Sequence, residues 1–387
     1  MKILIIHNKY GKFSGEEAVV DAQINLLKEN GHKVITYYRS SEELDEMKLG
    51  KAKAFFSALY NPKSIEELKI LISHEQPDIV HIHNLYPFIS PAILPMIKKL
   101  GTPIVMTVHN YRLVCPNGLF FNKGAICEKC TGASKELNCI INNCEGSLLK
   151  STGYALRNFW ARTHNQYLNN VDLFLSLSTV QNNKLIANGF KKEQCLIIPN
   201  SYGGSFVKEV SYNEGYYIGY VGRISPEKGS EIIIELAKKL PDINFKIAGN
   251  PINEKKDFPR LKNVEFVGFL NKEKLALFYS NCLFTLFTSV WNETFGLSII
   301  EAFAHKKPVI ASDLGASPEI VENNKSGLIY KNNDLADLTK KVNQLYSDKD
   351  RIREMGLSGF KKVEELYSAK VYYKKLFQAY QSVLEKR

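Results

Sequence analysis

The stretch Trp291–Ala302 reads WNETFGLSIIEA and joins a predicted strand to a predicted helix. The apolar run Cys282–Ser289 before it has the length of a buried strand, and Leu297–Ala304 has the apolar content of a packed helix. This spacing places Glu293 on the connecting loop and Glu301 inside the helix. A helix start has unpaired N–H groups that suit a phosphate or a polar sugar. The two flanking carboxylates can each accept hydrogen bonds from a pair of sugar or ribose hydroxyls.

Strand-like apolar runs alternate with amphipathic helical stretches along almost the whole chain, a pattern that indicates parallel, doubly wound sheets. The predicted strands are Lys2–Asn8, Lys33–Tyr38, Asp78–His83, Pro103–His109, Asp172–Ser178, Gln194–Pro199, Tyr216–Gly222, Asn244–Gly249, Val264–Gly268, Cys282–Phe287, Pro308–Ser312 and Gly327–Tyr330. The sequence therefore predicts an α/β protein with two doubly wound parallel sheets. Their strand ends are expected to face a central cleft.

The length of the chain, 387 residues, fits two domains of nearly equal size. A boundary is predicted in the irregular, glycine-containing segment Pro199–Gly215. We expect an N-terminal domain of residues 1–200, with a cysteine-containing loop at residues 115–144, and a C-terminal domain of residues 201–367. A last helix over residues 368–387 is expected to pack back on the N-terminal domain.

Composition and charge limit the classes of protein to consider. No apolar run approaches the roughly 20 residues that span a bilayer, and Met1–Asn8 becomes polar too soon for a signal peptide. A cytoplasmic location is therefore expected. The net charge of +11 is spread over both halves of the chain, which argues against a nucleic-acid groove. It is compatible with anionic substrates or with attraction to an anionic membrane surface.

A second motif, Tyr220–Gly229, reads YVGRISPEKG at the end of the first strand of the C-terminal half. Gly222 allows a close approach of the backbone to a ligand. Arg223 can bind phosphate oxygens in a fork, and Lys228 adds a point charge beside the next helix. These residue types in this order suit the binding of phosphate oxygens.

The two motifs together resemble the retaining glycosyltransferases of family 4, which have the GT-B fold of two Rossmann-like domains. Glu293 and Glu301 match the E-x7-E signature of that family. The resemblance implies a nucleoside diphosphate sugar as donor, with Glu301 on the ribose, Glu293 on the sugar, and Arg223 with Lys228 on the diphosphate. The implied donor-binding residues are Gly222, Arg223, Lys228, Glu293, Phe295, Gly296, Leu297 and Glu301.

The resemblance also implies the reaction, which is hexosyl transfer to a glycan or a lipid-linked acceptor in cell-surface polysaccharide biosynthesis. The acceptor would attack from the front face, assisted by the leaving phosphate. The implied catalytic residues are His109, Arg223, Lys228 and Glu293. No metal is expected at the diphosphate, because the D-x-D string Asp348–Asp350 lies between two helical patterns, where capping is favoured.

Acceptor-side candidates lie in the N-terminal half. His109 ends a predicted strand and is expected to face the cleft, and the resemblance implies a donor-sugar or acceptor contact there. Gly15 opens the first long helix and resembles the Gly-rich acceptor-side loop of the family, although Ser14 stands where a second glycine is usual. Asn84 is a weaker candidate. The loop after the first strand lacks a G-x-G-x-x-G fingerprint, which disfavours a dinucleotide-dependent oxidoreductase.

Five of the seven cysteines fall within residues 115–144. The C-x2-C spacing of Cys127 and Cys130 is typical of a metal knuckle, and two further thiols could complete a tetrahedral zinc site. The predicted set is Cys115, Cys127, Cys130 and Cys144, with Cys139 left over. Such a zinc would shape the acceptor side without a catalytic role. The alternative is five reduced cysteines in an irregular loop, because disulfides are disfavoured in the cytoplasm.

Two basic and aromatic segments, Lys48–Phe56 and Ser147–Leu168, have two interpretations. They are either core-facing helices with solvated basic faces or an interfacial surface for a lipid-linked glycan. The second interpretation predicts peripheral contact with an anionic membrane, at the inner face of the cell membrane. The basic residues that would make this contact are Lys51, Lys53, Arg157 and Arg162.

Two alternative functions follow from other features of the chain. A GT-B nucleotide-sugar epimerase would require further acid and base residues in the N-terminal loops, where few are found. A zinc-stabilised nucleic-acid-binding protein would use the cysteine loop and the positive charge, but the dispersion of that charge disfavours it. No nucleic-acid partner is therefore expected.

Overall fold

The computed structural model describes residues 1–10, 14–43, 56–132, 135–204, 206, 216–251 and 260–386. The chain divides into two compact units. The first comprises Met1–Asn122, Cys127–Pro199 and Tyr372–Arg387, and the second comprises Lys123–Ile126 and Asn200–Val371. Lys51 and Lys53, predicted to contact a membrane, lie outside the described residues, as does most of the predicted boundary segment.

The first unit contains a six-stranded parallel sheet. In chain order the strands of this part of the chain are β1 (Lys2–Lys9), β2 (Lys33–Ser40), β3 (Ile79–Ile82), β4 (Ile104–Thr107), the short β5 (Phe121–Asn122) and β6 (Ala125–Ile126), β7 (Leu173–Ser176) and β8 (Cys195–Ile197). The order across the large sheet is β2-β1-β3-β4-β7-β8, and every pairing is parallel. The order reverses between β1 and β3, and open α/β sheets bind ligands beyond the carboxyl ends of strands at such a switch point.

Among the residues that the structure describes, the helices that alternate with these strands are α1 (Gly15–Glu29), α2 (Pro62–Glu75), α3 (Ile93–Lys99), α4 (Leu137–Ile141), α5 (Leu148–Thr163) and α6 (Thr179–Ala187). The start of α1 is well defined because the Ser14 side chain accepts a hydrogen bond of 3.2 Å from the Glu17 N–H. Glu16 and Glu17 also complement the positive end of the helix dipole. This capping fixes the first turn of α1 beside the end of β1.

The second unit contains another six-stranded parallel sheet. Its strands are β9 (Tyr217–Val221), β10 (Phe245–Ala248), β11 (Val264–Gly268), β12 (Cys282–Phe287), β13 (Val309–Ser312) and β14 (Gly327–Tyr330). The order β11-β10-β9-β12-β13-β14, with parallel pairing throughout, is the 3-2-1-4-5-6 order of a Rossmann sheet. The switch point lies between β9 and β12.

Helices of the second unit are α7 (Ser230–Lys239), α8 (Lys272–Asn281), α9 (Leu297–Ala304), α10 (Ser317–Ile320), α11 (Leu335–Tyr346) and α12 (Lys349–Leu366). A Cβ atom on Gly359 of α12 would lie 2.5 Å from the ring of Phe303, so glycine allows α9 and α12 to pack closely. Asp348 caps α12 by accepting a hydrogen bond of 2.9 Å from the Arg351 N–H. This confirms the capping interpretation of Asp348.

The last helix, α13 (Ala369–Leu384), joins the core of the first unit. Its residues Leu376 and Tyr380 are buried together with Ile3 and Ile5 of β1. The Tyr372 hydroxyl donates a hydrogen bond of 2.6 Å to Gln23 Oε1 in α1. Apolar packing and buried polar contacts therefore tie the C-terminal helix to the N-terminal sheet.

Each of the twelve predicted strands overlaps an observed strand, and the predicted helix Leu297–Ala304 is α9. The prediction of two doubly wound parallel sheets is therefore confirmed. The short strands β5 and β6 were not predicted, because two-residue strands lack the apolar run on which the prediction depends.

Candidate functional site

A glycine turn fixes the backbone at the switch point between β9 and β12. Gly229 follows the 3₁₀ turn Pro226–Lys228 and has a φ of +66°. A Cβ atom there would lie 2.0 Å from the carbonyl oxygen of Thr288, so only glycine fits. The Thr288 hydroxyl donates to the carbonyl oxygens of Lys228 and Gly229, each at 3.1 Å. The turn after β9 is thereby attached to the loop after β12.

Lys228, in this turn, forms an ion pair with Glu293, which lies between β12 and α9. The Lys228 ammonium contacts Glu293 Oε1, and the Ser289 hydroxyl donates a hydrogen bond of 2.8 Å to Glu293 Oε2. The side chains of Lys228 and Glu293 are 18% and 8% exposed. The ammonium also lies 5.7 Å from the ring centroid of Trp291. Two residues that the sequence assigned to different parts of a donor are thus in direct contact.

The loop after β13 holds the backbone of Glu293 in place. The Ala316 N–H donates a hydrogen bond of 3.0 Å to the carbonyl oxygen of Glu293. Gly315, with a φ of +63°, makes this approach possible, because a Cβ atom there would lie 2.4 Å from the Glu293 nitrogen. Both the side chain and the main chain of Glu293 are therefore constrained.

The start of α9 lies a few residues beyond Glu293. Its N-cap is Gly296, which offers no side chain to the first N–H groups of the helix, so the amides near Phe295 and Leu297 can bind a ligand. Glu301, inside the helix, accepts a hydrogen bond of 2.8 Å from the Tyr279 hydroxyl. Burial raises the pKa of Glu301, and the hydrogen bond from Tyr279 partly opposes this rise.

Arg223 follows Gly222 at the end of β9. The Gly222 N–H donates a hydrogen bond of 3.0 Å to the carbonyl oxygen of Ala248, which keeps this position in line with the sheet. The Arg223 side chain is 60% exposed and lies 3.4 Å from Glu227, a buried carboxylate that also accepts from Ser225 at 2.7 Å. Its planar fork of donors therefore remains accessible to an anion.

These residues give the second unit a site with cations, carboxylates and open backbone amides at one switch point. Such a set can bind the diphosphate, the sugar and the ribose of a nucleotide sugar. Sequence reasoning missed the contributions of Trp291 and Tyr279, since each contacts a residue that is distant in the chain. It also missed Ser289, although the partner of Ser289, Glu293, is only four residues further along the chain. The one signal for Ser289 is its place as a polar residue after the apolar strand β12.

A stack of histidines lies at the carboxyl ends of the strands in the first unit. His83 Nδ1 lies 2.8 Å from His109 Nε2, and their rings stack with centroids 5.1 Å apart. His81 stacks on His83 at 4.5 Å and exchanges hydrogen bonds with the hydroxyls of Tyr380 and Thr107. Burial lowers the pKa of His81 and of His109 to about 3. The predicted site residue His109, which is half-buried, is therefore part of a network of imidazoles with the buried His81 and His83.

The first turn of α1 presents a second polar cluster in this unit. Gly15 is exposed, whereas the side chain of Glu16 is 11% exposed and lies 3.9 Å from His7. The Tyr10 hydroxyl donates a hydrogen bond of 2.9 Å to Glu16, and Arg112 donates one of 3.1 Å to the Tyr10 oxygen. Sequence reasoning missed Tyr10, Arg112 and the role of Glu16.

The weaker acceptor-side candidate, Asn84, has a structural role. Its side-chain amide donates to the carbonyl oxygens of Asn8 and Tyr86, at 2.8 and 3.1 Å. The amide therefore ties the loop after β3 to the end of β1. Its donors are used within the protein, so the structure does not support a ligand contact.

The cysteine loop contains the four residues predicted to bind a structural zinc ion. Among the described residues, which include all four predicted ligands Cys115, Cys127, Cys130 and Cys144, no group of three or more His, Cys, Asp or Glu could hold a metal ion. Cys130 and Cys139 are instead buried with Ala155, and burial is the main cause that raises the pKa of Cys130 to about 12. The neighbouring thiols of Cys115, Cys127 and Cys144 also contribute to the raised pKa of Cys130, so these cysteines lie near one another, and zinc binding by them stays a prediction.

Comparisons with known proteins agree with this geometry. Residues 13–202 match the family described as Glycosyltransferase Family 4, and residues 205–362 match Glycosyl transferases group 1. A relative from Methanocaldococcus jannaschii, an uncharacterized glycosyltransferase, is 27% identical over 374 residues, which are 93% of this chain and 92% of that protein. These matches do not support an epimerase or a nucleic-acid-binding protein.

One further relative by sequence and one solved structure are also similar to this chain. The capsular polysaccharide biosynthesis glycosyltransferase CapM of Staphylococcus aureus is 26% identical over 208 residues, which are 51% of this chain and 54% of CapM. The crystal structure of Anabaena HepE in complex with UDP-glucose has a TM-score of 0.66, 17% identity, and coverage of 99% of this chain and 100% of that chain. The chain therefore belongs to the glycosyltransferases that combine a Glycosyltransferase Family 4 segment with a Glycosyl transferases group 1 segment, and its fold is GT-B.

Proposed function

We propose that this protein is a retaining hexosyltransferase that moves a sugar from a nucleoside diphosphate sugar to a glycan or lipid-linked acceptor during cell-surface polysaccharide biosynthesis. The observation that carries the proposal is the contact between Lys228 and Glu293 beside the uncapped start of α9. It lies at the switch point where Rossmann sheets bind nucleotides. The likeness to a capsule glycosyltransferase supports the biosynthetic role, and the UDP-glucose complex of HepE supports the donor class.

In this proposal the C-terminal domain, residues 201–367, binds the donor. The N-terminal domain, residues 1–200 completed by α13, binds the acceptor. Glu301 accepts hydrogen bonds from the ribose, and Tyr279 keeps its carboxylate oriented. Glu293 and the amides at Phe295, Gly296 and Leu297 hold the sugar. Gly15 belongs to the acceptor-side loop.

The proposed chemistry breaks the bond between the anomeric carbon and the diphosphate. Negative charge then grows on the leaving phosphate, where Arg223, Lys228 and the start of α9 would stabilise it. The acceptor hydroxyl attacks from the same face and transfers its proton to that phosphate. His109, a neutral imidazole, contacts a reacting sugar. Because two cations and a helix start supply positive charge, we propose a reaction that does not depend on a metal ion.

A screen of nucleoside diphosphate sugars by thermal shift tests the donor assignment. A ligand at 100 times its Kd should stabilise the protein by about 2.7 kcal/mol. The binding nucleotide sugar is then supplied with candidate acceptors, and NMR of the product establishes the anomeric configuration. We expect the configuration of the donor to be retained. An inverted product would contradict the retaining assignment, and no shift with any nucleotide sugar would contradict the donor site.

A matched pair of lysine variants tests the role of Lys228. Lys228→Met should lower donor affinity at least tenfold, because it removes a charge-assisted contact with the diphosphate and leaves the Glu293 carboxylate unpaired beside that anion. Lys238→Met removes the same charge from α7, where the ammonium pairs with Glu235 on the surface and both side chains are about half exposed. It should leave affinity within twofold. Equal effects of the two changes would mean that Lys228 acts only through net charge.

We further propose peripheral contact with an anionic membrane, on its cytoplasmic face. Within the described ranges, no helix is long and apolar enough to cross a membrane. Arg157, one of the basic residues predicted to make the contact, is 4% exposed and donates to the Pro116 carbonyl oxygen at 2.9 Å, so that part of the prediction was wrong. The better candidates are exposed apolar side chains on α4 and at the start of α5, next to the exposed Lys150: Leu137, Ile141, Leu148 and Leu149.

Vesicle retention tests the membrane proposal. The double variant Ile141→Ser with Leu149→Ser removes side chains that are 78% and 80% exposed, so it should lower retention on vesicles that contain phosphatidylglycerol. Leu277→Ser on α8, where the side chain is 63% exposed, is the matched control and should bind as the unmodified protein does. Equal retention of all three proteins, or no retention of any, would contradict this surface.

A further inference from the structure

The switch point of the first unit contains buried polar atoms that lack partners. His7, near the end of β1, is 1% exposed, and His83, just after β3, is 4% exposed. Among the described residues, neither ring nitrogen of His7 nor Nε2 of His83 has a hydrogen-bond partner. Buried polar groups in folded proteins are almost always paired, so three such atoms at one switch point require an explanation.

Glu16 has a carboxylate oxygen that receives no hydrogen bond from the described residues, and it lies beside His7 at the same switch point. Its Oε2 receives the hydrogen bond from Tyr10, which in turn receives one from Arg112. Its Oε1 has no partner in the described part of the chain and lies 3.9 Å from His7 Nδ1. An oxygen atom about 2.8 Å from each of two such atoms bridges a separation of this size. Tyr10 and Arg112 therefore hold a carboxylate whose second oxygen lies 3.9 Å from an imidazole nitrogen, a separation that one hydroxyl oxygen can bridge.

The charge of the cluster indicates which chemical group it would bind. Burial lowers the pKa of His7 to about 4, so at neutral pH the ring is uncharged and offers one N–H donor and one nitrogen acceptor. An anion would face the Glu16 carboxyl group, and a cation would face the nearby Arg112. A neutral hydroxyl both donates and accepts, which complements an imidazole beside a carboxylate.

We propose that His7, Glu16 and His83 form a hydroxyl-binding pocket for the acceptor sugar. The inference rests on the proposed glycosyltransferase function and adds to it the residues that recognise the acceptor. His83 connects the pocket to His109 through the 2.8 Å contact between their ring nitrogens, so an acceptor bound here lies beside the histidine proposed to contact a reacting sugar.

A binding role and a structural role predict opposite effects when His7 is replaced. A histidine that stabilises the fold would lose hydrogen bonds on replacement by leucine, and the thermal midpoint would fall. A histidine whose role is to bind a ligand makes no such hydrogen bonds in the free protein. Its replacement by an apolar residue of similar size should therefore leave the thermal midpoint unchanged or raise it. His7→Leu therefore separates the two roles.

The experiment uses methyl glycosides of glucose, galactose, mannose and N-acetylglucosamine as probes. Their binding to the full chain is measured by saturation-transfer NMR, and UDP binding is measured separately by calorimetry. At least one glycoside should bind the unmodified protein. His7→Leu should weaken that binding at least tenfold and Glu16→Gln at least threefold, with UDP affinity within twofold and the midpoint of His7→Leu not lowered.

Glu17→Gln is the matched control, because it removes the same charge from the neighbouring residue. The Glu17 carboxylate accepts from the Tyr10 N–H at 2.7 Å, and a glutamine oxygen can still do so. This variant should bind the glycosides as the unmodified protein does.

Three results would overturn the pocket: no glycoside binds the unmodified protein, His7→Leu binds with full affinity, or His7→Leu lowers the midpoint by more than 5 °C. Failure of UDP and of every nucleotide sugar to bind, with glycoside binding intact, would instead count against the proposed donor and would leave the hydroxyl pocket standing.

Discussion

Replacing Gly229 by alanine tests whether the turn after β9 sets the geometry of the donor site. The new Cβ atom would lie 2.0 Å from the Thr288 carbonyl oxygen, and contacts of a real Cβ atom essentially never fall below 3.0 Å. The turn would therefore have to move by about 1 Å, and Lys228 would move with it. Gly268→Ala is a matched control in the same unit, since its φ is +68° and the nearest atom, on Asn250, is 3.8 Å away.

Both substitutions lower the free energy of unfolding through backbone strain, and Gly229→Ala lowers it further through a steric clash. Each places alanine in the left-handed region, which costs about 1–2 kcal/mol. Gly229→Ala adds an overpacking cost of about 1–3 kcal/mol. We therefore expect Gly268→Ala to lower the free energy of unfolding by about 1–2 kcal/mol and Gly229→Ala by about 2–5 kcal/mol. Because a displacement of about 1 Å can cost about 100-fold in rate, sugar transfer should fall in Gly229→Ala alone.

Urea denaturation measures this difference. Fluorescence of Trp291 reports on the second unit when the other tryptophan, Trp160, is replaced by phenylalanine in every protein compared. Sugar transfer is measured on the same variants. If the free energies of unfolding of Gly229→Ala and Gly268→Ala agree within about 0.5 kcal/mol, or if both variants lose transfer equally, the close approach to Thr288 does not set the site.

Three further predictions concern charged side chains. Glu293→Gln should slow sugar transfer but raise the affinity for UDP alone by about three- to tenfold, as measured by calorimetry. The reason is that Lys228 then has no carboxylate partner that competes with the diphosphate. An unchanged UDP affinity would contradict this competition. Burial raises the pKa of Glu301, so ionisation opposes folding above that pKa, and the penalty disappears as the pH falls through it. Glu301→Gln should therefore raise the thermal midpoint at pH 8, with a smaller gain at pH 5, and a pH-independent difference would show that ionisation is not the cause. Arg157→Met should lower the free energy of unfolding, measured in urea, by about 2–3 kcal/mol, because the buried carbonyl of Pro116 loses its donor. Lys150→Met, on the exposed face, should change it by less than about 0.5 kcal/mol. Equal changes in the two variants would contradict the burial of Arg157.

Local properties of the sequence were sufficient to predict the strands of the two large sheets. Strands buried on both faces read as continuous apolar runs, so all twelve strands of the two sheets could be located. Leu297–Ala304 was predicted to the residue because the Gly296 break and the apolar run coincide with the helix start. The positions of Glu293, Glu301 and Lys228 relative to these elements followed directly.

The contacts that form the site depend on the order of the strands in the sheet. The alternation of strands and helices along the chain does not specify this order. Lys228 and Glu293 are 65 residues apart and meet because β9 lies next to β12 in the sheet. The same limit explains the wrong prediction for Arg157. The helical pattern around Arg157 does not reveal that the carbonyl of Pro116 lies within its reach, and the spacing of Cys127 and Cys130 does not reveal whether further thiols converge on a metal.

The two switch points differ in how their polar groups are satisfied, and this difference bears on selectivity. In the second unit Lys228 and Glu293 neutralise each other, so a diphosphate exchanges one charge-assisted contact for another and gains less than the full value of a new bond. In the first unit, His7 and Glu16 have polar atoms without a hydrogen-bond partner among the described residues. A hydroxyl group can therefore bond to these atoms without breaking an existing hydrogen bond there. A site built to bind a hydroxyl rejects an analogue that lacks it by a factor of about 10⁴–10⁵, whereas a hydrophobic pocket distinguishes one missing methylene by only about 10–200-fold. If the hydroxyl pocket holds, acceptor discrimination should therefore depend on the buried imidazoles at β1 and β3 more than on the apolar surface around them.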